Sequence, residues 1–204
     1  MNAVNQITTA LAAGISQRGR ATLVVPGGSS PAHIFLALRN SEHDKYVDWT
    51  KVTITLVDER LVPDNHDDSN CRLIRTQLLQ GPVAAAKFLP LTCTTQVSEI
   101  ERPFDVMLLG MGQDGHFASL FPPMVNDAAM DVDTKPAIVQ TKPQGSPLCR
   151  RISMNLPMIL QSRLVLLLVS GADKREVLTA AKTDRSLPLH YLITQTVKSV
   201  HIIS

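Results

Sequence analysis

Short apolar runs alternate along this chain with segments in which apolar residues recur every three or four positions. The clearest run, 164–169, predicts a buried strand, and the runs at 21–25 and 104–109 predict two more. Weaker runs predict further strands at 52–57, 85–91, 137–140 and 197–203, together with an alternating strand that ends at Leu156 and Pro157.

Helices are predicted between these strands. The spacing of Val4, Ile7, Leu11 and Ile15 predicts an amphipathic first helix. Further helices are predicted after Pro31, after Ser69 or Asn70, after a possible cap at Asp173, and near 189–193. Strands that alternate with helices predict an α/β fold, in which a mainly parallel sheet carries helices on both faces.

The stretch from Leu108 to Pro122, LLGMGQDGHFASLFP, has a pattern typical of a ligand-binding turn. Its apolar run ends in two glycines, a Gln-Asp-Gly turn and His116, and a short amphipathic segment, 118–121, follows. This order predicts a strand, a tight loop and a helix start at the carboxyl edge of a parallel sheet, where open α/β folds bind ligands. We therefore expect His116 to point into a crevice; the alternative is a histidine packed in the core.

A second glycine turn follows the strand at 21–25, with the sequence Pro-Gly-Gly-Ser-Ser-Pro. Adjacent glycines allow the backbone to come close to a bound group, and the hydroxyls of Ser29 and Ser30 can add hydrogen bonds. A phosphate is the expected guest. An ordinary strand-to-helix connection explains the pattern equally well, and the turn is not a GxGxxG dinucleotide motif.

Charged residues follow other predicted strands. Asp58 and Arg60 form either a solvated loop or the polar lining of a site. Arg72 and Lys174 are cations at predicted helix starts, where a bound anion or a carboxylate partner would favour them; an exposed side chain is the simpler alternative for Arg72. Because parallel strands end at the same edge of a sheet, these side chains are expected to converge with His116.

Composition limits the classes of protein to which the chain can belong. Its 204 residues are 44% hydrophobic, 19% charged and 4% aromatic, which predicts a single globular domain over 1–204. A net charge of +2 without a basic stripe argues against nucleic acid as a partner. Three widely spaced cysteines offer neither a disulfide framework nor a zinc site. No apolar run reaches the length of a signal peptide or membrane span, so we expect a cytoplasmic protein without membrane contacts.

The quoted motifs together resemble those of 6-phosphogluconolactonases, within the wider superfamily of glucosamine- and galactosamine-6-phosphate isomerases. The similar stretches are VPGGSSP at 25–31, VDERLVP at 57–63, SNCR at 69–72, LLGMGQDGHFASLFP at 108–122, RISMNLP at 151–157 and VSGADK at 169–174. Deaminases of this group tend to carry Asn-Gly-His followed by Asn-Glu-Pro. This chain carries the lactonase form, Asp-Gly-His followed by Ala-Ser-Leu-Phe-Pro.

The resemblance implies a Rossmann-like fold and the hydrolysis of 6-phospho-D-glucono-1,5-lactone to 6-phospho-D-gluconate in the pentose phosphate pathway, without a cofactor. We expect no metal either, because no cluster of candidate ligands in the sequence has a workable spacing. His116 is the expected general base, because neutral imidazole, with a reference pKa near 6.5, deprotonates water at cytoplasmic pH. Asp114 is expected to orient the imidazole or to contact sugar hydroxyls.

The remaining site residues come from the same resemblance. Asp58 and Arg60 are the expected sugar contacts, and loop N–H groups or Arg60 are expected to stabilise the oxyanion. The residues expected to bind phosphate are Gly28, Ser29 and Lys174, with Arg72 and Arg151 as additional cations. The expected partner is a small sugar phosphate, and the expected assembly is a monomer or a weak homo-oligomer.

Two other functions are compatible with parts of the pattern. A sugar-phosphate isomerase or deaminase would use Asp58 as a base, and a silent sugar-phosphate sensor would keep the phosphate site without turnover. The chain also departs from the lactonase pattern at Phe117 and Ser30, where threonine is usual. Both residues lie beside proposed site residues.

Overall fold

Two β-sheets and six helices make up the computed structural model of the protein, which describes residues 2–40 and 47–204. The strands are β1 (Ala21–Val25), β2 (Val52–Leu56), β3 (Asp58–Arg60), β4 (Lys87–Leu89), β5 (Phe104–Leu109), β6 (Ile138–Gln140), β7 (Arg151–Met154), β8 (Ser162–Leu168) and β9 (Val200–Ile203). The helices are α1 (Ala3–Arg18), α2 (Ala32–Leu38), α3 (Asn70–Gln77), α4 (Leu156–Leu160), α5 (Ala172–Ala180) and α6 (Pro188–Thr194). Short 3-10 turns occur at Trp49–Lys51, Gly81–Ala85, Val97–Glu99, Pro122–Met124 and Ala128–Met130.

The larger sheet has six strands in the order β4-β2-β1-β5-β8-β9, and every neighbouring pair is parallel. The central strands β1 and β5 are buried along their whole length, as expected for a parallel sheet that is covered on both faces. This arrangement confirms the predicted α/β class.

The strand order creates a switch point between β1 and β5. From β1 the chain moves outward to β2 and β4, and it then returns to β5 on the other side of β1. Right-handed crossovers in these two directions lie on opposite faces of the sheet. The loops that follow β1 and β5 therefore separate at the carboxyl edge, and a crevice opens between them. These loops are the two glycine-containing motifs of the sequence.

A smaller antiparallel sheet, ordered β3-β7-β6, stands beside this edge. The sequence predicted either a solvated loop or the lining of a site at Asp58 and Arg60. In the structure these residues are not a loop; they belong to a short strand whose partner is β7. Val57 joins the two sheets, because its N–H donates to the Val25 carbonyl (3.0 Å) and its carbonyl accepts from the Met154 N–H (2.9 Å). Alternation along β3 then points Asp58 and Arg60 to one face and Glu59 to the other.

Three local predictions were wrong. The segment after His116 is not a helix start; it forms tight turns around bridges from Phe117 to Met111 and to Leu120, and Ala118 has a φ of 49°. The alternating strand predicted to reach Leu156 ends at Met154, because Asn155 caps α4 there. Helix α5 begins after Gly171, so Asp173 lies in its first turn and is not its cap.

The first helix follows the predicted pattern closely. Ile7 and Leu11 are fully buried, and the helix lies against β1 and β5. Asn2 caps its first turn, and Gly19 ends it in the left-handed conformation with a φ of 76°. No helix among the described residues is both long enough and apolar enough to cross a membrane.

A buried carboxylate ties α1 to the amino edge of the sheet. Asp105 is 4% exposed, forms an ion pair with Arg18, and accepts a hydrogen bond from the Thr22 N–H at 2.9 Å. Gly14 permits this approach, because a Cβ atom there would lie 2.7 Å from Asp105 Oδ1. The carboxylate therefore satisfies a backbone donor and a helix cation at once.

We expect Asp105→Ala to lower the free energy of unfolding by about 1–3 kcal/mol, because it leaves a buried N–H without its acceptor. Urea denaturation measures this loss. The control is Glu101→Ala, which removes the exposed ion pair with Arg20 and should cause a smaller change. Equal losses in the two variants would contradict this account of Asp105.

Candidate active site

A crevice of about 220 Å³ lies at the switch point, between the glycine turn after β1, the loop after β5 and the small sheet. Most of the residues predicted to form the site line it, namely Gly28, Ser29, Asp58, Arg60, His116 and Arg151. The structure thus brings together side chains from four separate sequence motifs. The roles assigned to these residues remain predictions.

The glycine turn forms one wall of the crevice. Gly28 has a φ of +77°, a conformation that favours glycine, and Gly27 packs so closely that a Cβ atom would lie 1.8 Å from Asn70 Oδ1. Within the described part of the chain, the backbone N–H groups of Gly28 and Ser29 donate no hydrogen bond. Both N–H groups are therefore free to bind an anion.

Lys174 reaches this turn from the first turn of α5. Its Nζ atom donates to Ser30 Oγ at 3.0 Å, so the ammonium group contacts the turn that carries the free N–H groups, although Lys174 itself is not among the residues that line the crevice. The start of α5 is also tied to the loop after β5, because Gln113 Nε2 donates to Asp173 Oδ2 at 2.9 Å. Ser30, the residue that departs from the usual threonine, keeps the hydroxyl that accepts from Lys174.

His116 and Asp114 form a pair at the opposite wall. Their Nδ1 and Oδ1 atoms are 2.5 Å apart, and the same Oδ1 accepts from the His116 backbone N–H at 3.2 Å. An ionised carboxylate only accepts hydrogen bonds, so Nδ1 carries the proton and Nε2 of the neutral ring keeps a free lone pair. Gly112 makes room for the pair, because a Cβ atom there would lie 2.3 Å from the imidazole.

The electrostatics of Asp114 favour this arrangement. Partial burial acts to raise the pKa of the Asp114 carboxyl, but the hydrogen bond and charge of His116, with backbone hydrogen bonds, outweigh it. The net effect is a pKa below the usual value for aspartate. Asp114 therefore remains an acceptor for the imidazole throughout the neutral pH range. The ring of His116 also packs on Phe121, with centroids 4.6 Å apart.

Asp58 is held on the floor of the crevice by a buried hydroxyl. Its side chain accepts from Ser119 Oγ at 2.5 Å, and Ser119 in turn donates its backbone N–H to Ser153 Oγ at 3.2 Å. Asp58 is 5% exposed and Ser119 is completely buried. These contacts fix the direction of the carboxylate, which suits a group that binds a sugar hydroxyl.

Two arginines face each other across the small sheet. Arg60 and Arg151 are directly opposite in the register of β3 and β7, and like charges in such positions repel. Burial lowers the pKa of the Arg151 guanidinium, and the charge of Arg60 lowers it further. Neither arginine forms an ion pair with a carboxylate among the residues that the structure describes. The pair makes this end of the crevice attractive to an anion.

Arg151 is rigidly placed despite its repulsive neighbour. It donates from Nε to the Gln144 carbonyl (3.3 Å) and from Nη2 to the Pro147 carbonyl (3.1 Å). Its guanidinium lies 5.5 Å from the centroid of the Phe121 ring. The loop between β6 and β7 therefore holds this charge in position.

Arg72, like Lys174, is a predicted phosphate ligand that is absent from the crevice lining. It is exposed, and its Nη1 atom pairs with Asp67 Oδ1 at 2.7 Å. Asn70, which the sequence suggested only as a possible helix cap, lines the crevice instead. The sequence signal that could have identified Asn70 as a site residue was its position in the SNCR stretch at 69–72.

Two residues that neighbour proposed site residues in the sequence, Phe117 and Cys71, are part of the interior. Phe117 is fully buried and is absent from the crevice lining, so its departure from threonine changes the core and not the crevice wall. Cys71 is also buried, and this burial, with the nearby charge of Glu59, raises the pKa of its thiol to about 12. Such a thiol is not a nucleophile at neutral pH.

Sequence comparisons agree with this geometry. The profile of the family described as Glucosamine-6-phosphate isomerases/6-phosphogluconolactonase matches residues 1–201. The chain is 34% identical over 210 residues to the 6-phosphogluconolactonase of Rhizobium meliloti (strain 1021), which covers 94% of this chain and 88% of the relative. It is 35% identical over 216 residues to the 6-phosphogluconolactonase of Caulobacter vibrioides, which covers 98% and 90% of the two chains.

The fold agrees as well. The crystal structure of a 6-phosphogluconolactonase from Shewanella baltica OS155 matches with a TM-score of 0.85 and 33% identity, over 98% of this chain and 89% of that one. The similarity thus extends over nearly the full length in both sequence and structure. This chain belongs to the glucosamine-6-phosphate isomerase and 6-phosphogluconolactonase family.

Proposed function

We propose that this protein hydrolyses 6-phospho-D-glucono-1,5-lactone to 6-phospho-D-gluconate, as a step of the pentose phosphate pathway in the cytoplasm. The observation that carries the proposal is the set of chemical groups around one crevice. An imidazole with a free Nε2 lies at one wall, and unpaired N–H groups beside an ammonium lie at the other. The relatives named as 6-phosphogluconolactonases support the same substrate.

In this proposal the phosphate binds at the glycine turn. The N–H groups of Gly28 and Ser29 and the ammonium of Lys174 provide donors of suitable charge and geometry. Arg151 adds a positive charge to the crevice, whereas Arg72 has weaker support because it pairs with Asp67. Phosphate binding would hold the lactone carbonyl at a fixed distance from the base.

His116 acts as the general base. Its Nε2 atom removes a proton from water, and the hydroxide oxygen forms a bond to the lactone carbonyl carbon. The carbonyl oxygen becomes an oxyanion, which the positive charge of Arg60 stabilises. The bond to the ring oxygen then breaks, and that oxygen takes the proton from Nε2. Asp114 keeps the imidazole in the tautomer that these proton transfers require.

Asp58 has a binding role in this scheme. Its carboxylate is anchored by Ser119, and the proposal assigns it to a sugar hydroxyl. Chemistry on the sugar carbon itself, as in an isomerase or deaminase, would require Asp58 to move protons. The Asp-Gly-His sequence and the named relatives favour the lactonase over this alternative.

His116→Ala should lower kcat by about 10²–10⁴-fold, the usual contribution of a general base. Affinity for 6-phosphogluconate should change by less than about threefold, because the phosphate donors remain. A coupled assay on freshly prepared lactone, corrected for spontaneous hydrolysis, measures the first quantity, and calorimetry measures the second. The control is His190→Ala, since the His190 imidazole bonds to the Ala181 carbonyl outside the crevice. A His116→Ala protein as fast as wild type would refute the mechanism.

Asp114→Asn tests the electrostatics of the pair. A carboxyl whose pKa is lowered by folding stabilises the protein above its unfolded pKa of about 3.9 and loses this effect as the pH falls through the folded pKa. The difference in unfolding free energy between wild type and Asp114→Asn should therefore decrease over the acidic range below about pH 5. Urea denaturation across this range measures it. A difference that grows as the pH falls would contradict the assignment.

Lys174→Ala and Arg72→Ala separate the two candidate phosphate cations. Lys174→Ala should raise KM for 6-phosphogluconolactone by about tenfold, the effect of losing one charge-assisted contact. It should have little effect on hydrolysis of unphosphorylated glucono-1,5-lactone. Arg72→Ala should have the smaller effect on KM. The reverse order of effects in steady-state kinetics would assign the phosphate to Arg72.

A further inference from the structure

Asn70 occupies the centre of the polar contacts beneath the crevice. It is 1% exposed and is the first residue of α3. Its Nδ2 atom donates to the Asp58 carbonyl at 2.9 Å, and its Oδ1 atom accepts from Arg60 Nη1 at 2.7 Å. The Asn70 amide therefore binds the backbone of Asp58 and the side chain of Arg60, the two residues that β3 contributes to the crevice.

Glu59 fixes Asn70 from the other face of β3. Its Oε1 accepts from the Asn70 N–H at 2.7 Å, and its Oε2 accepts from the Cys71 N–H at 2.6 Å. A carboxylate is favoured at a helix start, where the N–H groups have no helical partner. Glu59 is 6% exposed, so these bonds are shielded from water and hold α3 firmly against β3.

Arg60 depends on these contacts for its direction. Its Nη1 atom donates both to Asn70 Oδ1 and to the Asp68 carbonyl, the latter at 2.9 Å. Its Nε atom is buried without a hydrogen-bond partner, which is unfavourable for a polar group shielded from water. If the guanidinium moved into solvent, water could bind Nε; the two hydrogen bonds at Nη1 oppose that movement. Nη2 forms no hydrogen bond with the described residues and is not buried.

The amide of Asn70 also contacts the glycine turn. A Cβ atom on Gly27 would lie 1.8 Å from Asn70 Oδ1 and 2.6 Å from Nδ2, so the amide rests directly on this backbone. The same amide oxygen thus contacts both the turn that carries the free N–H groups and the guanidinium of Arg60. It sets the distance between two groups that bind different ends of a ligand.

We propose that Asn70 is a positioning residue for Arg60, and that Glu59 holds Asn70 in place for this role. Asn70 acts through Arg60 and does not contact the reacting atoms. This inference rests on the proposed lactonase function only for the identity of the ligand. It adds a specificity element, because a lactone whose carbonyl lies at another distance from its phosphate would not reach Arg60.

A double-mutant cycle of Asn70→Ala and Arg60→Ala tests the inference. Asn70→Ala should lower kcat/KM by about 10–100-fold, since a displaced arginine no longer meets the oxyanion. The double variant should be within about twofold of Arg60→Ala, because removing the arginine leaves Asn70 nothing to position. If Asn70→Ala fails to fold, Asn70→Asp replaces it. This substitution keeps the volume beside Gly27 but puts a carboxylate where the amide donates to the Asp58 carbonyl, so it should also impair kcat/KM; the inference then requires that the conservative Arg60→Lys in the wild-type background impairs kcat/KM as well.

The matched control is Asn155→Ala. Asn155 is likewise a buried asparagine at a helix start, where it caps α4; it accepts from the Met158 N–H at 3.1 Å and donates to the Lys135 carbonyl at 2.9 Å, away from the crevice lining. Its loss should lower Tm while kcat/KM stays unchanged. A purely structural role for Asn70 would give the same result in both variants.

The cycle is also measured as affinity for 6-phosphogluconate by calorimetry, which requires no turnover. A wild-type protein that never exceeds spontaneous hydrolysis would refute the proposed function, and the affinity cycle would still decide the role of Asn70. Coupling between the two substitutions in the affinity cycle supports the inference. Fully multiplicative effects of Asn70→Ala and Arg60→Ala, or an Asn70→Ala protein identical to wild type, overturn it.

Discussion

Two backbone hydrogen bonds at Val57 connect the sheets on which the crevice depends. Its N–H binds the end of β1 and its carbonyl binds the end of β7, so the chain leaves the parallel sheet and enters the antiparallel one at a single residue. Asp58 and Arg60 follow immediately and are therefore carried to the side of the glycine turn. The β1–β5 switch point supplies an open edge, and the hydrogen bonds of Val57 bring the small sheet to that edge.

The crevice built in this way contains charges that are costly in the unliganded protein. Arg60 and Arg151 are opposite each other, Arg60 leaves a nitrogen unpaired, and both are held by fixed carbonyl or amide groups. Such an arrangement opposes the usual preference for paired charges in proteins. It is understandable if the site is arranged for a ligand that carries negative charge. The energy to maintain it comes from the surrounding bonds of Glu59, Asn70 and the loop before β7.

The sequence predicted the parts of the fold that depend on local pattern. The bounds of β1 and β5 agree with the predicted runs, and the motif containing His116 does follow β5. The sequence did not predict the strand β3, because its three residues are all charged and show no alternation of apolar and polar positions. Its partner β7 also lies far along the chain, so no local pattern indicates the pairing. The turn after His116 was mistaken for a helix because the positive φ of Ala118 comes from tertiary contacts and not from alanine itself. Asn70 lines the crevice and Arg72 does not, for a similar reason. Neighbouring residues at a helix start face different directions, and only the packing of α3 against β3 determines which side chain faces the crevice.

The central claim is that the glycine turn binds phosphate while His116 and Arg60 meet the carbonyl end of the same molecule. A crystal structure of the protein with bound 6-phosphogluconate tests this directly. The account predicts the phosphate within hydrogen-bond distance of the Gly28 and Ser29 N–H groups and of Lys174 Nζ, with the carboxylate of the ligand toward His116 Nε2 and Arg60. A ligand bound in the reverse orientation, or bound outside this crevice, would contradict it.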